Sequence, residues 1–238
     1  MESARFLRNK DLINQNSLTD LTIIGAGGIG SHLIAPLSIM GWRNVVLVDY
    51  DKIEEHNRST TCYPKSGIGE YKVDVAEKEW FRYADKDQLF GKVPRKFTPY
   101  SKTPLLRNVM VCTDNMESRL DAYNQWVQND DRGFFIDMRM SALGFEIITA
   151  TKFYDNYMEH WHDGSDVADD PCTAKHTIFC GGLVAFDGVA QAFLLLQETI
   201  YYAYINTTLL PRETNVSEMV APPKNSINKE EEHNEISL

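Results

Sequence analysis

The first chemical signal in the chain is GAGGIG, which sets Gly25, Gly27 and Gly30 in a G-x-G-x-x-G spacing with Gly28 between them. A tight turn of this kind, entered by a strand and left by a helix, lets backbone N–H groups and the positive helix end approach a phosphate. The neighbours fit: Leu21 to Ile24 is a short apolar, β-branched run, and Ser31 to Met40 reads as a helix closed by Gly41. Asp49 then ends a second apolar run, Val45 to Val48, about twenty residues beyond the loop, where a carboxylate can accept hydrogen bonds from ribose hydroxyls. Glycines that served only close helix–sheet packing would not call for an acid in that register. The pattern predicts a nucleotide and leaves its identity open, with a nicotinamide or flavin dinucleotide as the competitor to ATP.

Two further runs bear on that choice. VDYDKIEEHNRSTTCYPKSGIGEYK carries Asp49, Asp51, Asn57, Arg58 and Lys72, and VCTDNMESR carries Asp114. In order and spacing they resemble the signatures of the ThiF/MoeB/ubiquitin-activating superfamily: D-x-D-x-V/I-x-x-x-N, an arginine-bearing stretch and G-x-x-K, then a strand ending in T-D-N with an arginine a few residues later. A dehydrogenase has no need of the first run. The likeness covers roughly residues 5 to 137 and thins beyond.

The resemblance implies an ATP-dependent adenylyltransferase, in which a carboxylate attacks the α-phosphate to give an acyl-adenylate and pyrophosphate. The implied acceptor is the C-terminal glycine of a ubiquitin-like or sulfur-carrier protein; other relatives adenylate small molecules, peptides or an RNA base. It also implies that Asn57 and Lys72 face the phosphates or the attacking carboxylate, that Arg58 is the phosphate arginine and that Asp114 holds Mg²⁺. Attack on a polyanion depends on positioning and charge neutralisation more than on an acid or base, which agrees with such a set. A hard oxygen ligand at a strand's C-terminal end suits that metal, although Asp114 reads equally as an Asx turn or N-cap before a helix at Met116. Arg58 departs from the family pattern, because it follows Asn57 at once and Ser59 and Thr60 come next, with no glutamine. RFLRNKDL resembles the R-x-x-R-Q segment that reaches into a neighbouring subunit's ATP site, with Arg8 as the candidate and Asn9 in place of glutamine. That carry-over implies a homodimer, whereas Arg5 and Arg8 read alone are surface charges on a helix. Two other readings stand beside the leading one: an NAD-binding oxidoreductase, and a catalytically silent scaffold that keeps the nucleotide fold.

Four cysteines, Cys62, Cys112, Cys172 and Cys180, are too scattered for a disulfide framework and predict free thiols. The two C-x-x-C pairs of a family zinc site are missing. His160, His162, Cys172, His176 and Cys180 are of zinc-binding type but in no recognised spacing, so a structural zinc is not expected. A thioester would need an accessible thiolate near a cation or helix N-terminus. Cys172, just after an acidic stretch and four residues before His176, fits first, then Cys180 at the start of a long helix, then Cys62; a chain with no thiol chemistry is the other reading. Cys112 reads as a buried strand residue.

These groups need a scaffold, and the chain supplies alternating signals for it. After the first βαβ unit come a helical pattern over 69–83, a candidate strand at 96–98, an apolar run at 108–112, a helix over 116–129 and a strand at 134–137. Alternation of this kind predicts an α/β, Rossmann-like, mainly parallel sheet flanked by helices. A strand over 144–153 leaves the pattern, 154–171 reads as an acidic surface loop, and 181–204 as a long helix packed on the sheet. Residues 1–210 are therefore expected to form one domain, with a less regular C-terminal part and a disordered tail over 211–238, where large apolar groups are few. At 238 residues and 43% hydrophobic content the chain can bury one substantial core. Its net charge of −10 is the wrong sign for gripping nucleic acid. With no secretory h-region and no apolar run counted as reaching the ~20 residues that span a bilayer, a cytoplasmic chain without membrane contact is expected.

Overall fold

The computed structural model describes residues 4–100, 103–162 and 177–222. Its strands are β1 (Asp20–Ile24), β2 (Asn44–Val48), β3 (Leu89–Val93), β4 (Asn108–Val111), β5 (Phe134–Met140), β6 (Gly144–Thr151), β7 (Tyr201–Leu209) and β8 (Arg212–Val220). They form one sheet in the order β3-β2-β1-β4-β5-β6-β7-β8. The strands from β3 to β5 run parallel, and β6, β7 and β8 continue the sheet antiparallel. The helices are α1 (Gly30–Met40), α2 (Lys72–Trp80), α3 (Met116–Val127) and α4 (Ile178–Leu196).

Alternation along the strands builds two cores. Leu21, Ile23, Val45, Leu47, Ile136 and Met138 face α1, α2 and α4, whereas Val109, Val111, Phe135 and Ile148 pack with Ala122 and Trp126 of α3. The α/β sheet flanked by helices is thus the one the sequence predicts. Because connections on either side of β1 lead to opposite faces, β1 and β4 flank a switch in strand order, and a crevice opens above their C-terminal ends.

Four boundaries differ from expectation. The strand placed at 96–98 lies instead at Leu89–Val93 on the sheet edge, where Leu89 and Lys92 are exposed and the apolar signal is weak. The long helix stops at Leu196, since Glu198 adopts φ 51, and the aromatic run from Tyr201 becomes β7. The tail expected from 211 begins with β8, held to β7 by backbone pairing while its side chains stay in solvent; 223–238 lie outside the described residues. Within the expected surface loop, Asn156 and Tyr157 are buried, and its acidic part over 163–171 lies outside the described residues.

At 19 residues α4 is long and apolar enough to cross a membrane by length and composition, a run the sequence count passed over. Here one face of it packs on β5 and α1, with Gly188 against Met138 and Gly181 against Gly28.

Candidate functional site at the switch point

Register puts the ends of three strands level. Ile24 of β1 pairs with Val48 of β2 and Val111 of β4, so Gly25, Asp49 and Cys112 follow side by side. Gly25 has φ +97, and a side chain there would lie 2.8 Å from the Cys112 carbonyl, so both backbone shape and space demand glycine. At Gly30 a Cβ would collide with the Gly25 carbonyl oxygen at 2.0 Å, while the space over Gly27 is open. No side chain caps the N-terminus of α1; its Ser31 and His32 N–H groups donate to the Gly27 and Ile29 carbonyls at 3.1 and 2.9 Å, so the helix start is closed onto the turn itself.

Asp49 braces this turn. One carboxylate oxygen accepts from the Ala26 N–H at 2.6 Å and the other from the Asp51 N–H at 2.7 Å. Burial nevertheless raises its pKa above the ordinary carboxylate value, opposed by the Lys72 ammonium and those two N–H groups. From the other side, the buried phenol of Tyr63 donates to the Ala26 carbonyl at 2.8 Å, a brace the sequence reading missed because it comes from 37 residues away.

Lys72 opens α2 and is only 6% exposed; its Nζ lies 2.7 Å from Asp51 Oδ2. The Asp51 carbonyl accepts from the Lys72 N–H at 2.9 Å, which ties the start of α2 to the end of β2. Asp114, after β4, is exposed, and no hydrogen bond or ion pair engages its carboxylate among the described residues. The capping role belongs to its neighbour, since the Asn115 side chain accepts from the Ser118 N–H at 2.8 Å. The phenol of Tyr50 is pushed up by Asp51 first, then by burial, Asp114 and Asp49, against the pull of Lys72. These four charged groups therefore act on one surface beside the glycine turn.

Arg119, the arginine after T-D-N, fixes that surface from below. It donates to the Thr113 carbonyl and pairs with Asp137, both buried. Asp137 also accepts from Arg139 Nε at 2.9 Å and from the Tyr157 hydroxyl at 3.0 Å. The motif flagged Arg119, but the rest of the Asp137 cluster, Arg139 and Tyr157, comes from β5 and the segment after β6 and left no local signal.

The remaining candidates are more dispersed. Asn57 closes a capping box, its Oδ1 accepting from the Glu54 N–H at 2.9 Å. Arg58 is exposed and pairs with Glu55 at 2.5 Å, so its guanidinium is turned to a local partner. Arg8 is exposed on the N-terminal segment, which packs at the far end of α1 through Arg5 bonds to the Ser38 and Ile39 carbonyls. That end is a helix length from this chain's own glycine turn. Cys180 is buried and its thiol donates to the Gly144 carbonyl at 3.3 Å; burial pushes its pKa up, so the helix start does not activate it. Cys112 is buried as expected and its thiol is likewise pushed up. His160 stacks on Tyr204 at 4.2 Å, His162 lies 3.3 Å from Arg139, and Cys172 and His176 fall outside the described residues.

Comparison with known proteins agrees with this geometry. A profile described as the ThiF family matches residues 10–221. The NEDD8-activating enzyme E1 catalytic subunit of Arabidopsis thaliana is 22% identical over 179 residues, 73% of this chain and 32% of the relative. Ubiquitin-like modifier-activating enzyme 5 of Caenorhabditis briggsae is 27% identical over 113 residues, 42% of this chain and 26% of the relative. The chain thus spans about a third or less of these curated relatives. Among solved structures, E. coli MccB with AMPCPP and MccA superposes with a TM-score of 0.73 at 16% identity, covering 94% of this chain and 73% of that one. MccB with ATP gives 0.70 at 15% identity over 94% and 74%, and PaaA gives 0.69 at 14% over 86% and 66%.

Proposed function

The chain belongs to the ThiF family, and on that premise we propose that it is an ATP-dependent adenylyltransferase that activates a carboxylate at the end of a polypeptide. The observation that carries this reading is the convergence of the glycine turn, Asp49, Lys72 and Asp114 at the switch between β1 and β4. The open turn at Gly27 receives phosphate oxygens, and Asp49, its remaining lone pairs free, receives the ribose. A carboxylate oxygen attacks the α-phosphorus; the new O–P bond forms as the bond to the bridging oxygen breaks, and pyrophosphate leaves with that electron pair. Lys72 stabilises the charge that spreads over the phosphate oxygens, held in place by Asp51.

Three carboxylates, Asp51, Asp114 and Asp49, and one ammonium, Lys72, all act on the Tyr50 phenol, so the charge around it is net negative and would repel a triphosphate. Among the described residues no three His, Cys, Asp or Glu side chains converge on a metal position, so Asp114, exposed and unpaired, is the single hard ligand that would hold Mg²⁺ beside the phosphates' own oxygens. Bound there, the ion would neutralise phosphate charge. Further positive charge comes, in this reading, from Arg8 of a second copy, since Arg8 cannot reach its own crevice. Exposed Leu12 and Phe186 near Met40 give that copy an apolar face on which to seat.

The relatives' names support a ubiquitin-like protein as the acceptor, and the MccB structures with ATP, and with AMPCPP and MccA together, support a fold that takes a nucleotide beside a second molecule. ATP–pyrophosphate exchange against proteins ending in Gly-Gly tests the proposal. Exchange that requires the acceptor and is lost in Asp114→Ala supports it; exchange unchanged by that substitution removes the metal assignment.

A further inference from the structure

Ala26 lies in the glycine turn, is wholly buried, and has both backbone polar groups tied to side chains from elsewhere in the chain. Its N–H goes to Asp49, while its carbonyl accepts from the Tyr63 hydroxyl at 2.8 Å, and no backbone N–H reaches that carbonyl among the described residues. The Ala26–Gly27 peptide is trans, so its C=O and N–H point in opposite directions. Holding the carbonyl toward Tyr63 therefore turns the Gly27 N–H away from the protein interior. The next two carbonyls are also engaged, since Gly27 O accepts from the Ser31 N–H at 3.1 Å and Gly28 O faces α4 at Gly181. The N–H groups of Gly27 and Gly28, by contrast, donate to no protein acceptor among the described residues, and the space over Gly27 is open. Successive unpaired N–H groups of this kind suit an anion.

Glycine itself does not fix this orientation. Gly27 has no Cβ, so a rotated peptide that aims the Ala26 carbonyl at the phosphates meets little steric resistance, and a partner must choose between the two. Tyr63 is held where it can choose. Its side chain packs with Ile53 and Val75, and the residues before it are pinned: Thr61 Oγ1 donates to the Asn57 carbonyl at 2.9 Å, the Cys62 N–H donates to Ser31 Oγ at 3.2 Å, and Cys62 Sγ lies 3.1 Å from His32 Nδ1. Burial first, then the charge of Asp49, push the phenol well above its ordinary pKa, so the hydroxyl keeps its proton and remains a donor. We propose that Tyr63 is a positioning residue for the triphosphate: its hydroxyl sets the plane of the Ala26–Gly27 peptide so that the Gly27 N–H, and not the Ala26 carbonyl, meets the phosphate. The inference rests on the nucleotide site in the function proposed above, and gives a role to a residue outside both sequence signatures' charged groups.

The test compares ATP with adenosine, which carries no phosphate, in calorimetric titrations of the full chain. Tyr63→Phe keeps the ring and loses the donor. ATP affinity in that variant is expected to fall about tenfold, the scale of one hydrogen bond to a charged group, while adenosine affinity changes by less than about twofold. A second readout needs no variant: in wild-type chain carrying nitrogen-15 glycine, the Gly27 amide resonance is expected to shift on addition of ATP and of inorganic tripolyphosphate. ATP affinity unchanged in Tyr63→Phe overturns the role, as does a Gly27 resonance that stays put at saturating ATP. Equal losses for ATP and adenosine also overturn it, because they mark a general structural defect. Urea denaturation establishes that Tyr63→Phe folds; if it does not, the wild-type Gly27 shift decides. A wild-type chain that binds no ATP contradicts the proposed function itself, whereas ATP binding indifferent to Tyr63→Phe removes only the positioning role.

Discussion

The carboxylate of Asp49 accepts the Ala26 N–H at 2.6 Å, so the acid that ends β2 also shapes the turn that ends β1. One residue thereby both orders the phosphate loop and offers lone pairs to the nucleotide. Hydrogen bonds to a charged group contribute about 1.5–3 kcal/mol, so Asp49→Ala is expected to weaken ATP binding roughly 10- to 100-fold in calorimetry.

Protonation of Asp49 should act in the same direction. Its folded pKa is raised, so ATP affinity falls on acidification with a midpoint above the ordinary carboxylate value near 4. For the unliganded protein the sign is opposite: stability drops as pH rises from that ordinary value through the folded pKa, because charging a buried carboxylate is then disfavoured in the fold. Denaturant titrations across this range, with Asp49→Asn as reference, read the effect, and a flat difference between the two proteins would count against it.

Asp114 and Asn115 are adjacent and should separate cleanly. Asn115 caps α3, and its replacement by alanine is expected to cost about 1 kcal/mol of stability. Asp114→Ala touches no partner and should stay within about 0.5 kcal/mol of wild type in urea denaturation while abolishing the Mg²⁺ enhancement of ATP binding.

Lys72 and Arg58 make a second contrast. Lys72→Ala removes a buried ammonium from the crevice and is expected to lower acceptor-dependent exchange by about 10²- to 10³-fold. Arg58 is exposed and paired with Glu55, and Arg58→Ala should change exchange no more than about threefold, the scale of a surface ion pair.

Beneath the site, Arg119→Met leaves Asp137 short of a buried partner. The loss should reach about 3–5 kcal/mol by denaturation, because the carboxylate stays buried with its charge less compensated.

What the sequence made legible was local in the chain. The glycine turn, its flanking strand and helix, Asp49 and the T-D-N strand end each lie within one βα unit, where periodicity and turn chemistry speak directly. The Asp137 cluster was not legible, since Arg119, Arg139 and Tyr157 meet it only through the sheet. Pairing of Cys62 with His32 spans 30 residues and was hidden for the same reason. β8 escaped because an exposed edge strand buries almost nothing, so its polar residues carry no alternation to read. The end of α4 was misplaced because only Gln197, Glu198 and Thr199 interrupt the apolar and aromatic residues that run from α4 into β7, and the turn rests on Glu198, a residue with no glycine-like signature.

Calorimetric titration of the full chain with ATP and Mg²⁺, set beside a titration with NAD, tests the central claim most directly. One ATP bound per chain, with no NAD binding and with the ATP heat lost in Asp49→Ala, is the predicted result. Binding of NAD in place of ATP, or ATP binding indifferent to Asp49, would contradict the nucleotide site described at the β1–β4 switch.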